Sequence, residues 1–193
     1  ELLDDPLANL ALVLVDDGGA TGRLCTSPRR LFERPTSEFN SHLAVHNDRL
    51  GRTRGNFHAI IHAQPLHLTY LSHMACYQDE RYLNTHLLRW QPEAIYNFPE
   101  GIGFIPFFVP GSAELMQRTR DGMRDHRMVL WARHGVMARS DESIKRACDR
   151  IEYAETAARY ECLNLANGEK AAGLSVEEIR AICRAFGVKQ DWF

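Results

Sequence analysis

The chain has 193 residues, 45% of them hydrophobic and 25% charged, enough to bury one sizeable core and most simply read as a single domain spanning residues 1–193. Its 23 basic and 25 acidic residues are interspersed and leave a net charge of −2, which offers no single-sign field for nucleic acid or a membrane surface and favours a small-molecule partner. Five cysteines, odd in number and without a CxxC pair, argue for free thiols in a reducing, cytoplasmic setting, and the longest apolar run, Leu10 to Val15, is far too short to span a bilayer.

The chain opens at Glu1-Leu2-Leu3 without an initiator Met and runs almost directly into a strand, so residues upstream are expected. Asn9 to Asp16 alternates into an apolar run, Asp17-Gly18-Gly19 turns the chain, and Arg23 to Thr26 returns it, a hairpin signal. Ser37 is placed to cap a helix that carries Phe39, Leu43, His46 and Leu50 on one stripe, with Glu38 in its first turn and Gly51 past its end. Phe57 to Ala63 reads as a buried strand, and Pro65 opens a short helix to about His73. Tyr82 to Trp90 fits another helix. From Glu93 to Pro110 the chain is apolar, aromatic and broken by Pro and Gly, which predicts short strands joined by tight turns.

A helix from Ser112 to about His126 precedes a second buried strand, Met128 to Ala132, ended by Gly135. Ser140 is expected to cap the longest helix, to about Asn167, whose Ile144, Ala147, Ile151, Ala154 and Ala158 recur at helical spacing. Ser175 and Glu178 form a capping box for the last helix, which Gly187 stops. Intermixed strands and helices predict a layered α/β or α+β domain.

His62 and His134 each sit just after a buried strand, and two such strands side by side would aim both imidazoles at one spot, a natural place for a divalent metal. Either histidine alone also fits a ring that hydrogen-bonds backbone beside a core strand. Glu38 adds a possible base, although a glutamate in a first helical turn also suits the helix dipole. His42 would share its helical face with Glu38. Thr36 and Ser37 place hydroxyls and N–H groups at a helix N-terminus, suited to phosphate or to simple capping. Glu93 fits either a second catalytic carboxylate or a turn residue. Nitrogen ligands with a carboxylate suggest metal-assisted carbanion chemistry.

The order Pro35-Thr36-Ser37-Glu38 with His42, then Ile61-His62-Ala63-Gln64, then His134-Gly135-Val136, resembles the class II aldolase family of sugar-phosphate aldolases and epimerases. The segment Phe98-Pro99-Glu100-Gly101-Ile102-Gly103-Phe104-Ile105-Pro106, with Val109-Pro110-Gly111, is similar to the branch of that family acting on rhamnulose 1-phosphate. The resemblance implies a layered α/β/α domain around a largely antiparallel sheet, in a cyclic homotetramer with active sites between subunits. It further implies a lyase that cleaves L-rhamnulose 1-phosphate to dihydroxyacetone phosphate and L-lactaldehyde. In that scheme His62 and His134 hold a divalent metal, usually zinc, Glu38 is the base for the carbon-bound proton, Glu93 the acid at the aldehyde oxygen, and Ser37 a phosphate contact.

Two departures stand out. Where the family has His-x-His, this chain has His62-Ala63-Gln64, leaving the remaining metal position to Gln64 through its carbonyl oxygen, to Glu38, to His67, or to a harder metal. The family's N-terminal segment, which supplies further phosphate-binding loops, is also not in this chain. A different ketose-phosphate aldolase or epimerase shares the same residues, and Gln64 alone favours a non-catalytic interaction domain that has lost its metal.

Overall fold

The structure, a computed structural model, describes residues 4–17, 19 and 21–193; Glu1-Leu2-Leu3 and Gly18 of the expected first turn lie outside the described residues. A short helix α1 (Pro6–Asn9) leads into an antiparallel hairpin, β1 (Ala11–Val15) and β2 (Gly22–Thr26), as the sequence predicts. The rest is built on a second sheet of four strands, β3 (Ala59–Ala63), β4 (Gly103–Ile105), β5 (Met128–Trp131) and β6 (Gly135–Ser140), in the order β3-β6-β5-β4. The β3–β6 and β6–β5 pairs are antiparallel and the β5–β4 pair is parallel, so the sheet is mixed.

Side chains alternate across this sheet and each face meets its own helices. Met128, Leu130, Val136 and Ala138 join one core with residues of α3 (Leu66–Leu71), α4 (Glu80–Leu87), α5 (Pro92–Asn97), α7 (Ile144–Ala166) and α8 (Val176–Phe186). Val129, Trp131 and Met137 face the other way, onto Val45 of α2 (Phe39–Thr53) and Leu115 and Met123 of α6 (Ala113–Asp125). The expected α/β class and layering follow from these two faces. Arg124 of α6 donates to Asp48 of α2 at 2.6 Å, tying the second helical layer together.

Several boundaries differ from the sequence reading. The sequence reads Gly135 as punctuation and Ser140 as a helix cap, yet both belong to strand β6, all six of whose residues are buried between β3 and β5. Ser140 stays in the ladder opposite Ala59, and its hydroxyl accepts from the N–H of Glu142 at 3.0 Å. Ser143 caps α7 instead, accepting from Arg146 N–H at 3.1 Å. Gly51 does not stop α2, since a single glycine costs a helix interior only about 1 kcal/mol; the helix runs on to Thr53, and Arg54 takes the left-handed conformation with its N–H on Leu50 O. The run after Trp90 folds as helix α5, with Pro92 in its first turn, before the short strand β4, because so short a segment does not distinguish strand from helix by its pattern. The capping box at Ser175 and Glu178 and the Gly187 stop are as expected.

The β5–β6 turn is tight: Trp131 pairs with Gly135, Arg133 is left-handed with φ 61°, and its N–H donates to Ser72 Oγ at 2.7 Å. Gly135 has φ 153°, and a Cβ there would lie 2.4 Å from the carbonyl oxygen of Ala63 on β3. Gly135→Ala is therefore expected to lower stability by about 2 kcal/mol or more, read from urea denaturation, because the β6–β3 contact must open. Unchanged stability would show that this close approach is relaxed in solution.

Candidate active site

The site forms where α2 begins, at the end of the sheet carrying the β5–β6 turn. Glu38 is the N-cap residue of α2, one position before its first turn, and is only 2% exposed. Burying a carboxylate is costly unless its oxygens are satisfied. Here Oε2 accepts from the Gly111 N–H at 3.2 Å, and Oε1 accepts from Ser37 Oγ at 3.4 Å. Gly111 is left-handed, with φ 75°, and packs so closely on Ser37 that a Cβ would lie 3.0 Å from the Ser37 carbonyl oxygen. Asn40 Nδ2 donates to Gly111 O at 2.9 Å and completes the clamp. Ser37 therefore does not cap the helix through its side chain; it stands exposed at the mouth beside the carboxylate.

His62, on β3, donates from Nδ1 to Val136 O at 2.9 Å, which leaves Nε2 with its lone pair. His134 lies in the turn before β6, with Nε2 3.9 Å from Glu38 Oε1. Burial and the neighbouring His62 push its pKa down, against an upward pull from Glu38. The two imidazole centroids are 5.1 Å apart, and Trp131 packs against both, at 4.7 Å from His62 and 5.1 Å from His134. Contrary to expectation, the strands that carry the histidines are not side by side, because β6 separates β3 from β5; the tight turn after Trp131 brings His134 back toward His62.

Imidazole nitrogens suit a divalent metal, and the buried His134 Nδ1 has no hydrogen-bond partner among the described residues. Among the described residues no group of three or more His, Cys, Asp or Glu gathers as a metal cluster. Gln64 lines a cleft of about 410 Å³ together with His134, Arg133 and His73. His67 is committed elsewhere, its Nδ1 2.7 Å from Glu155 of α7. Residues here fit two positions of a metal shell; Glu38 Oε1 stands 3.9 Å from His134 Nε2, and Gln64 lines the cleft beside His134.

Glu93 is not brought to this cluster within one chain: it lies in the first turn of α5, a helix of the opposite layer. Sequence reasoning missed Gly111 and Trp131 as parts of the site. The Val109-Pro110-Gly111 turn signal was visible, but only the fold places its N–H on Glu38, and Trp131 read as core.

Residues 7–162 match the family described as Class II Aldolase and Adducin N-terminal domain, and the chain belongs to that family. Within it, the chain is similar to rhamnulose-1-phosphate aldolase of Enterobacter sp. (strain 638) and of Escherichia coli (strain K12 / DH10B), each 32% identical over 184 residues, covering 95% of this chain and 66% of the relative. The chain thus spans just under two thirds of the length of these curated relatives. A sugar-phosphate aldolase from Thermotoga maritima superposes with a TM-score of 0.65 at 31% identity, over 79% of this chain and 62% of that one. An L-fuculose 1-phosphate aldolase shares the fold, with a TM-score of 0.61 at 24% identity, over 91% of this chain and 71% of that one.

Further histidines lie on α2 and just before β3. His42 has its pKa lowered to about 4 by burial and by His46 and His62. His58, whose Nδ1 lies 3.0 Å from His46 Nδ1, is lowered to about 4 mainly by burial and by His46. That bond needs one ring as acceptor, so it fails when both are protonated. The unfolded chain binds these protons near pH 6.5, whereas the fold refuses them until about pH 4. Stability is therefore fully present above the unfolded value and is expected to fall as pH drops from 6.5 toward 4, by on the order of 1.4 kcal/mol per pH unit for each group. Urea midpoints at pH 7, 6 and 5 check this, and His58→Gln should flatten the slope.

Proposed function

We propose that this chain is a metal-dependent aldolase of phosphorylated ketoses, cleaving L-rhamnulose 1-phosphate reversibly to dihydroxyacetone phosphate and L-lactaldehyde. The observation that carries the reading is the buried Glu38 carboxylate, clamped by the Gly111 N–H and facing His134, with His62 beside it. The 32% identity with rhamnulose-1-phosphate aldolases over 95% of the chain supports the choice of substrate. In this reading the 193 residues act as one domain, in a cytoplasmic homotetramer.

His62 and His134 would hold the metal, taken to be zinc, with Gln64, which lines the same cleft as His134, offered for a third position. When bound, the metal supplies Lewis-acid stabilisation of the anion left as a carbon-bound proton departs. Glu38 takes that proton from the hydroxymethyl carbon of dihydroxyacetone phosphate in synthesis and returns it in cleavage. The Gly111 N–H fixes Oε2, so the carboxylate is aimed before substrate arrives and loses no freedom in the transition state. Ser37, exposed beside it, contacts the substrate phosphate. Trp131 closes the apolar wall and keeps water from the developing charge. Glu93 protonates the aldehyde oxygen in synthesis; because it lies in the opposite helical layer, this role requires a second copy of the chain to carry it to the site, in keeping with a homotetramer.

Glu38→Gln is expected to retain bound metal while lowering turnover by on the order of 1,000-fold, measured by elemental analysis beside a coupled assay for dihydroxyacetone phosphate. Turnover that survives the substitution would remove Glu38 as the base. His134→Ala should lose metal and activity together. Gln64→His is expected to tighten metal binding by about tenfold or more, since an imidazole nitrogen replaces a neutral amide oxygen. Wild-type protein that binds no zinc, manganese or cobalt would favour the second reading, a non-catalytic domain, for which Gln64 is the motivating residue.

A further inference from the structure

At the other end of the four-stranded sheet, five arginines converge on one cavity. Strand β6 runs from Gly135 at the Glu38 site to Ser140, opposite Ala59, so the two ends lie about 17 Å apart at the usual rise per residue. The far end opens into a cavity of about 620 Å³ lined by Arg49, Arg127, Arg139, Arg146 and Arg150, with four carboxylates among its walls. That volume is in the range of small-molecule sites.

Most of these arginines are paired. Arg49 meets Asp141 in a two-pronged contact at 2.9 and 2.5 Å, while Arg127 reaches Glu100 and Arg146 reaches Glu142, each at 3.6 Å. Arg139, 7% exposed, donates from Nε to Met123 O at 2.9 Å and stands 3.7 Å from Asp141. Arg150 is different. It is also 7% exposed and its Nη1 donates to Arg139 O at 2.6 Å, but among the described residues no carboxylate is within ion-pair distance of it and its buried Nε has no partner. A buried guanidinium with no carboxylate beside it is costly, and an anion entering the cavity would offset its charge.

The charge order of α7 points the same way. Its first turn, which contributes Arg146 to the cavity, carries Lys145 and Arg146 and no acidic residue, the reverse of what a helix N-terminus favours. Burial pushes the Arg139 pKa down to about 10 and the Arg150 pKa also downward, with Arg49 and Arg127 respectively adding to the effect. These cations repel one another and would be relieved by a bound anion.

We propose that this cavity is a second ligand site, binding the phosphate group of a small anionic molecule through Arg150 with Arg127 and Arg146 at its rim. Planar guanidinium groups in a partly desolvated pocket match phosphate oxygens better than ammonium groups would. The proposal does not rest on the aldolase reading, because none of these residues belongs to the Glu38 site.

The test is calorimetric titration with inorganic phosphate, at constant ionic strength held with sodium chloride. Three proteins are compared: the wild type, Arg127→Ala/Arg146→Ala, and Ser37→Ala, which removes the hydroxyl assigned to substrate phosphate at the Glu38 site. The two rim arginines are 40% and 52% exposed, so the double variant is expected to fold, checked by circular dichroism. Saturable binding by the wild type that weakens at least about tenfold in the double variant but persists in Ser37→Ala supports the site. Binding that vanishes only in Ser37→Ala, binding indifferent to both changes, or no binding up to about 20 mM phosphate overturns it.

Discussion

The backbone of β6 is the constraint on which both ends of this molecule depend. Bonded by β3 on one side and β5 on the other, and buried along all six residues, it fixes the register of everything attached to it. Its Val136 carbonyl takes His62 Nδ1, and the close approach of Gly135 to Ala63 sets the turn that carries His134. At its other end the Arg139 carbonyl receives Arg150. A one-residue slip in β6 would exchange Met137 for Val136 and Ala138 across the two cores, so register is strongly enforced by packing on both faces.

Burial of Glu38 is the corresponding constraint on chemistry. A carboxylate at 2% exposure is tolerated because the loop ending at Gly111 donates an N–H to it, and because Ser37 contributes a hydroxyl. The same desolvation that makes this arrangement costly keeps His134 neutral and its ring nitrogens available. Local stability is exchanged for a site whose charged group is fixed before any ligand arrives, with Trp131 as its apolar wall.

Helix caps were legible where a side chain and its target lie within one turn, as at Ser175 with Glu178 and at Ser112 with Leu115. They mislead where a competing partner lies elsewhere in the chain. Ser140 looked like a cap yet belongs to a ladder with Ala59, and its hydroxyl turns the chain toward Ser143. Gly51 reads as a stop, but α2 runs past it to Thr53, whose hydroxyl donates to Arg49 O at 2.9 Å.

By itself the sequence determined the layered α/β class and most of the helices, because periodicity and caps are local properties carried by neighbouring residues; it singled out Glu38, His62 and His134 as candidates only through the family its motifs resemble. Only the tertiary structure decided that β6 separates the two histidine strands, that Gly111 clamps Glu38, that His67 turns away to Glu155, and that Arg150 is buried beside four other arginines. Each of those depends on partners dozens of residues apart in the chain, and such pairings are fixed by packing and hydrogen-bond satisfaction in the folded state rather than by any local pattern.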